Sequence, residues 1–131
     1  MDTNVLLDVV EDDQAWADWS QRQLDDLGLR ERLCVNAVVY AELSLAFSRI
    51  EELEQVLADG DFEVAEIPRE ALFLAAKAFL RYRRQATGPK VGVLPDFFIG
   101  AHAAVTGMSL LTRDAKRYQT YFPTVRLISP D

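Results

Sequence analysis

The sequence predicts an α/β fold, a mainly parallel central sheet flanked by helices, and three observations carry that expectation. Short apolar runs bounded by turn residues alternate with stretches of helical periodicity, the order that parallel strands joined by helices require. Glycine and proline fall between these stretches, as at Asp59-Gly60, Pro68, Gly88-Pro89 and Gly107. A length of 131 residues, half of them hydrophobic, suits one domain spanning 1–131 around a single core.

From Asp13 to Leu27, the positions Ala15, Trp16, Trp19, Leu24 and Leu27 form a helical stripe interrupted at Gln23, with Asp12 or Asp13 as its cap. Leu33-Cys34-Val35 reads as a short buried strand, and Asn36 caps a helix running through Val38 to about Phe47. A further helix covers Ile50 to Leu57 and stops near Asp59-Gly60; Phe62, Val64 and Ile67 mark a second strand. Pro68 then precedes a long helix, about Arg69 to Arg84, which Thr87-Gly88-Pro89 breaks to open a loop reaching Leu94. Pro95 suits the first turn of a helix running to Val105 and ending at Gly107. Met108 to Leu111 reads as a strand, Asp114 to Tyr121 as a helix and Val125 to Ile128 as a last strand. In parallel sheets of this kind, ligands sit at the carboxyl ends of the strands.

Composition removes several classes of function. Cys34 is the only cysteine, so the chain holds neither an internal disulfide nor a thiolate metal cluster, and its neighbours Leu33 and Val35 suggest a small buried side chain rather than a nucleophile. No apolar run approaches the eighteen or so residues of a membrane helix and the start lacks a signal-peptide pattern, so a soluble, cytoplasmic protein is expected. The net charge of −7 is unevenly divided: residues 1–68 hold 17 acids and 4 bases, residues 69–131 hold 10 bases and 4 acids. Such a division hints at a face for a polyanion, although on charge alone the simpler reading is that the acids solvate the outer faces of the N-terminal helices.

The informative acids interrupt uncharged sequence. Glu42 is the only charged side chain from Leu33 to Ser48, and Asp96 the only one from Val91 to Thr112. Asp2 precedes Val5-Leu6-Leu7, and Asp114 follows the apolar Leu110-Leu111 by three residues. Each lies just after a strand or early in the following helix. A carboxylate in an apolar setting is costly unless partnered. One divalent cation bound by Asp2, Glu42, Asp96 and Asp114 would partner all of them, and an all-oxygen set favours Mg²⁺ or Mn²⁺ over zinc. Each acid also has an ordinary structural reading: Asp96 complements a helix N-terminus, Thr112 and Asp114 are caps, Glu42 faces outward, and Asp2 is a loose terminal residue. His102 lies six residues after Asp96, roughly on the opposite helix face, and reads as structural. Trp16, Trp19, Phe97 and Phe98 read as core or interface, and Asp8 as a helix or partner contact.

Four segments resemble PIN-domain motifs in family order: Asp2-Thr3-Asn4-Val5-Leu6-Leu7-Asp8, Asn36-Ala37-Val38-Val39-Tyr40-Ala41-Glu42-Leu43, Leu94-Pro95-Asp96-Phe97-Phe98-Ile99-Gly100-Ala101-His102-Ala103, and Leu111-Thr112-Arg113-Asp114 through Tyr118 and Phe122. The third is the most specific, and within the family the likeness is greatest to the VapC toxins. The resemblance implies a PIN-like three-layer sandwich and an active site of Asp2, Glu42, Asp96 and Asp114, with Thr3, Asn4 and Thr112 as polar supports. It implies endoribonuclease activity dependent on one or two Mg²⁺ or Mn²⁺ ions, an antitoxin partner and a homodimer. Lys90, Arg113, Lys116 and Arg117 are the candidates for the RNA backbone, with Arg81, Arg83 and Arg84 equally well read as solvated helix charges. Family members carry a hydrophobic strand before the first aspartate, whereas only Met1 precedes Asp2 here, so that strand is expected to be truncated. The alternatives are a housekeeping RNA-processing PIN nuclease and an inactive PIN-like protein-binding module. A receiver-type phosphoacceptor lacks its lysine here, and a haloacid-dehalogenase phosphatase would need an aspartate where Asn4 stands.

Overall fold

The computed structural model describes residues 1–85 and 94–130, which fall into two units, Met1–Glu66 and Ile67–Asp131. The boundary between the units is also where the chain's charge changes sign, from the acidic first half to the basic second. The break expected at Thr87-Gly88-Pro89, and Lys90 with it, lies outside the described residues.

The first unit runs α1 (Thr3–Val10), α2 (Ala17–Gly28), β1 (Leu33–Asn36), α3 (Ala37–Ser44), α4 (Ile50–Asp59) and β2 (Phe62–Ala65). Strands β1 and β2 pair in parallel, with Leu33 beside Phe62 and Val35 beside Val64. Val5 and Leu6 of α1, Leu24 of α2, Val35, Val39 and Leu43 around β1–α3, and Leu53 and Leu57 of α4 make its core. Leu53 and Leu57 are four residues apart on one face of α4, the spacing that buries both while the Glu51-Glu52 pair faces solvent. At the end of that helix a side chain on Gly60 would stand 2.3 Å from the Phe62 ring, so the glycine is what lets the chain turn tightly into β2.

Two helix boundaries differ from the sequence expectation for visible reasons. The Asp13 carboxylate accepts from the Ala15 and Trp16 amides, both at 2.9 Å, and this capped turn delays the start of α2 to Ala17. Helix α3 stops at Ser44 rather than Phe47 because tighter i to i+3 bonds take over, from the Leu45 amide to Glu42 O and from the Ala46 amide to Leu43 O. Helix α1, with Val5 and Leu6 buried, is an element that its short motif did not announce as a periodic stretch.

The second unit runs α5 (Arg69–Gln85), α6 (Leu94–Thr106), β3 (Leu110–Leu111), α7 (Lys116–Tyr121) and β4 (Leu127–Ile128). Ala71, Ala75 and Ala78 are buried along one face of α5, and small side chains there let α6 pack closely against it. Strands β3 and β4 pair in parallel, shorter than the sequence runs suggested. Phe97 is fully buried in a ring cluster with Phe79, Tyr82, Tyr121 and Phe122, centroids 5.3–6.0 Å from its own. Gly100 is required beneath that cluster: a Cβ there would lie 2.4 and 2.6 Å from Phe122 ring atoms and 3.0 Å from Tyr118. Gly107, with φ +70°, ends α6 in the left-handed region that favours glycine. The helix-and-strand mixture with parallel pairing in both units agrees with the expected α/β class.

Candidate active site

In the first unit, the entry to α3 is fixed by Asn36, whose side chain accepts from the Val39 amide at 3.0 Å, as the sequence suggested. Glu42 therefore sits in the second turn of a helix that starts directly from the end of β1. Helix α1 packs against α3, and the buried Thr3 hydroxyl donates to Glu42 Oε1 at 2.6 Å. Asp2 precedes α1 with extended backbone and is 5% exposed; its carboxylate accepts from Asn4 Nδ2 at 3.4 Å. Asp2, Thr3, Asn4 and Glu42 are thus linked in the first unit, with Asn4 donating to Asp2 and Thr3 to Glu42.

The Met1 amine donates to Cys34 O at 3.3 Å. Burial lowers its pKa, against the opposing pull of Asp2 and Cys34. The Cys34 thiol is pushed up chiefly by burial, and Glu63 adds to this, so it is not a poised nucleophile. Asp8, read from the sequence as a helix or partner contact, is a buried carboxylate that accepts from Ser20 Oγ at 2.8 Å and ties α1 to α2.

In the second unit, Asp96 occupies the first turn of α6, with Pro95 ahead of it and the apolar Phe97 behind. Thr112 is fully buried just past β3, and its hydroxyl accepts from the Asp114 amide at 3.0 Å, closing a short turn that presents the exposed Asp114. Arg113 is half-buried within that turn and Lys116 exposed at the start of α7. Arg117 has a partner within the protein that its sequence position did not announce. Expected as an RNA-backbone contact, its guanidinium pairs with Asp96 Oδ2 and lies 5.6 Å over the Tyr82 ring. No local spacing announces a contact between residues 96 and 117; the only hint was that Asp96 needed a partner. His102 is buried on α6, and burial lowers its pKa.

Within their own units Glu42 thus accepts from a hydroxyl, Asp2 from a side-chain amide and Asp96 from a guanidinium. Among the described residues neither unit contains a ready-made group of three or more His, Cys, Asp or Glu side chains that could hold a metal ion. The donors fit a hard cation in kind: every candidate ligand is a carboxylate oxygen, and a carboxylate accepting one hydrogen bond keeps acceptor capacity for a metal.

A family model described as "PIN domain" matches residues 1–123. The chain belongs to the PIN-domain family. No curated protein matches it significantly. Solved structures share the PIN fold at low sequence identity. VapBC2 from Rickettsia felis, bound to a DNA fragment from its promoter, is similar at 18% identity and a TM-score of 0.69, over 99% of this chain and 96% of the other. A toxin–antitoxin complex from Klebsiella pneumoniae gives 19% and 0.67, over 99% and 95%. DNA-bound VapBC from Salmonella typhimurium gives 17% and 0.64, over 98% and 94%. At these identities the likeness is one of fold, and it extends over nearly the whole of this PIN chain.

Proposed function

We propose that this PIN domain is a Mg²⁺- or Mn²⁺-dependent endoribonuclease and the toxin of a toxin–antitoxin pair. The observation that carries the reading is the support given to the motif acids: Thr3 donates to Glu42, Asn4 to Asp2, and Thr112 shapes the turn bearing Asp114. Thr3 and Asn4 are neutral donors, and a neutral donor orients a carboxylate without neutralising it, as a cation ligand requires.

Asp2, Glu42, Asp96 and Asp114 would hold one or two ions. The bound metal supplies Lewis acidity, which lowers the pKa of a water and neutralises charge on the phosphoryl group. The chain's own residues do the rest: carboxylates hold ligand positions, Thr3 and Thr112 keep Glu42 and Asp114 from turning away, and Arg113 and Lys116 take phosphate oxygens of the RNA backbone. Such contacts position an RNA strand without reading its sequence.

An antitoxin has a suitable seat in the first unit. A groove of about 480 Å³ between α1, α2 and α4 is lined by Leu6, Val9, Leu24, Val56 and Phe62, with Asp25 and Asp59 also on its wall. It fits an apolar helix carrying basic residues. The solved relatives named as toxin–antitoxin complexes support a partner of that kind. Among the described residues no helix is long and apolar enough to cross a membrane; the cytoplasm, where cellular RNA is met, is the proposed site of action. A homodimer is supported by Leu72, Phe73 and Leu80, apolar side chains exposed on α5.

The test is incubation of the purified protein with tRNA and mRNA in Mg²⁺. Cleavage that depends on metal and disappears in Asp96→Asn is expected, and cleavage that persists in that variant refutes the site. Growth arrest on expression, relieved by the product of an adjacent small gene, separates a toxin from a housekeeping nuclease.

A further inference from the structure

Arg117 has a geometry that an RNA-backbone contact does not need. Its guanidinium comes from α7, pairs with a carboxylate oxygen of Asp96 on α6, and stacks 5.6 Å over the Tyr82 ring of α5, so three helices define its position. Neither partner is freely solvated: the side chains of Arg117 and Asp96 are 30% and 28% exposed. Tyr82 is itself held in the ring cluster by Phe79, Phe97 and Tyr121. A planar cation on an aromatic face, meeting a carboxylate, loses less side-chain freedom than a lysine would in the same place.

We propose that Arg117 is an internal counter-cation for Asp96, holding the carboxylate while no metal is bound and leaving it when metal arrives. The proposal rests on the reading of Asp96 as a metal ligand. Both cations need the same oxygen charge, so occupancy by the guanidinium lowers the apparent metal affinity by the fraction of molecules that are paired. The exchange has a second consequence. Displacement from Asp96 would free the single Arg117 guanidinium for a phosphate, so metal loading and affinity for the RNA backbone would rise together. Arg117 is therefore a positioning residue that acts through Asp96 before substrate is present.

Calorimetric titration of the purified protein with Mn²⁺ alone separates this role from a structural one by its sign. Arg117→Gln, whose fold is checked by thermal melting in metal-free buffer, should bind Mn²⁺ about fivefold more tightly than wild type, since a partly exposed charged pair is worth up to a factor of this size. Arg117→Lys, which keeps the charge and loses the stacking, should fall between the two and carries the test if the glutamine variant does not fold. A brace that merely oriented Asp96 would give weaker binding in both variants. Equal or weaker Mn²⁺ binding by the variants, with wild type binding normally, overturns the counter-cation role and leaves the metal site intact. Absence of Mn²⁺ binding in wild type and variants alike overturns the metal reading and this proposal with it.

Discussion

Replacing Thr3 tests whether a hydroxyl donor is what prepares Glu42. Thr3→Val keeps the shape of a side chain that is 5% exposed and removes the 2.6 Å hydrogen bond to Glu42 Oε1. Hydrogen bonds to charged groups contribute about 1.5–3 kcal/mol, and Glu42, being only half-buried, recovers part of this from water. A net loss of about 1 kcal/mol follows, or roughly 3–5 °C in Tm for a chain of this size. Thr3→Ser makes the opposite change, keeping the hydroxyl and deleting a buried methyl at a similar cost of about 0.8 kcal/mol. Stability alone therefore does not distinguish the two variants, whereas metal affinity does. A carboxylate without its orienting donor should bind Mn²⁺ about tenfold more weakly, the lower end for loss of a supporting hydrogen bond at a metal ligand. Urea denaturation and Mn²⁺ calorimetry on both variants give the answer. Wild-type affinity in Thr3→Val, or equal weakening in Thr3→Ser, refutes the reasoning.

Three other outcomes are expected. Gly100→Ala puts a methyl 2.4 Å from the ring of Phe122, itself 3% exposed, and should cost about 1–3 kcal/mol in urea denaturation; a change below about 0.5 kcal/mol would mean the ring moves freely. Burial holds the His102 imidazole below its ordinary value of 6.5, so the unfolded chain takes up this proton first as pH falls; the stability linked to His102 is complete above about pH 6.5 and declines below it. His102→Gln should accordingly lose less stability than wild type between pH 7.5 and pH 5.5 (about the range where an imidazole titrates), and identical pH profiles would reject that assignment. Val56→Glu places a charge in the apolar groove at a half-buried position of α4, and should abolish co-purification with the antitoxin while leaving the melting curve near wild type.

The elements most legible in the sequence were those whose signals are local. Asn36 ahead of a helical run, Pro95 in a first turn, Gly107 after a last one and the Leu53/Leu57 spacing each state a local preference that the structure keeps. Helix α1 was harder to see because eight residues with few polar positions give no clear period. Strands β3 and β4 shrink to two residues each because parallel pairing ends where Arg126 and Ile128 stop offering carbonyls to the Leu110 and Thr112 amides, a limit set by the partner and not by either run. The candidate acids were visible because isolated charges in apolar sequence are rare. Their supports were partly visible, since Thr3, Asn4 and Thr112 lie within the motifs themselves. The pairings of Arg117 with Asp96 and of Ser20 with Asp8 were not legible for one reason: each forms through helix packing across 21 and 12 residues, where spacing carries no information.

The kinds of donor follow a physical logic. A carboxylate held by arginine or lysine is fixed and neutralised together, and an incoming cation must then displace a charge. One held by a threonine hydroxyl is fixed and stays negative. Glu42 is of the second type, oriented by Thr3, and Thr112 shapes the turn of Asp114 through a backbone amide without touching its charge. Asp96 is of the first type, and its cation lies over a tyrosine ring. With a neutral support alone, Asp96 would keep an uncompensated, part-buried charge whenever no cation was bound, and such a charge is costly. On the proposed exchange, Arg117 offsets that cost while no metal is bound and would leave the carboxylate open to one that arrives.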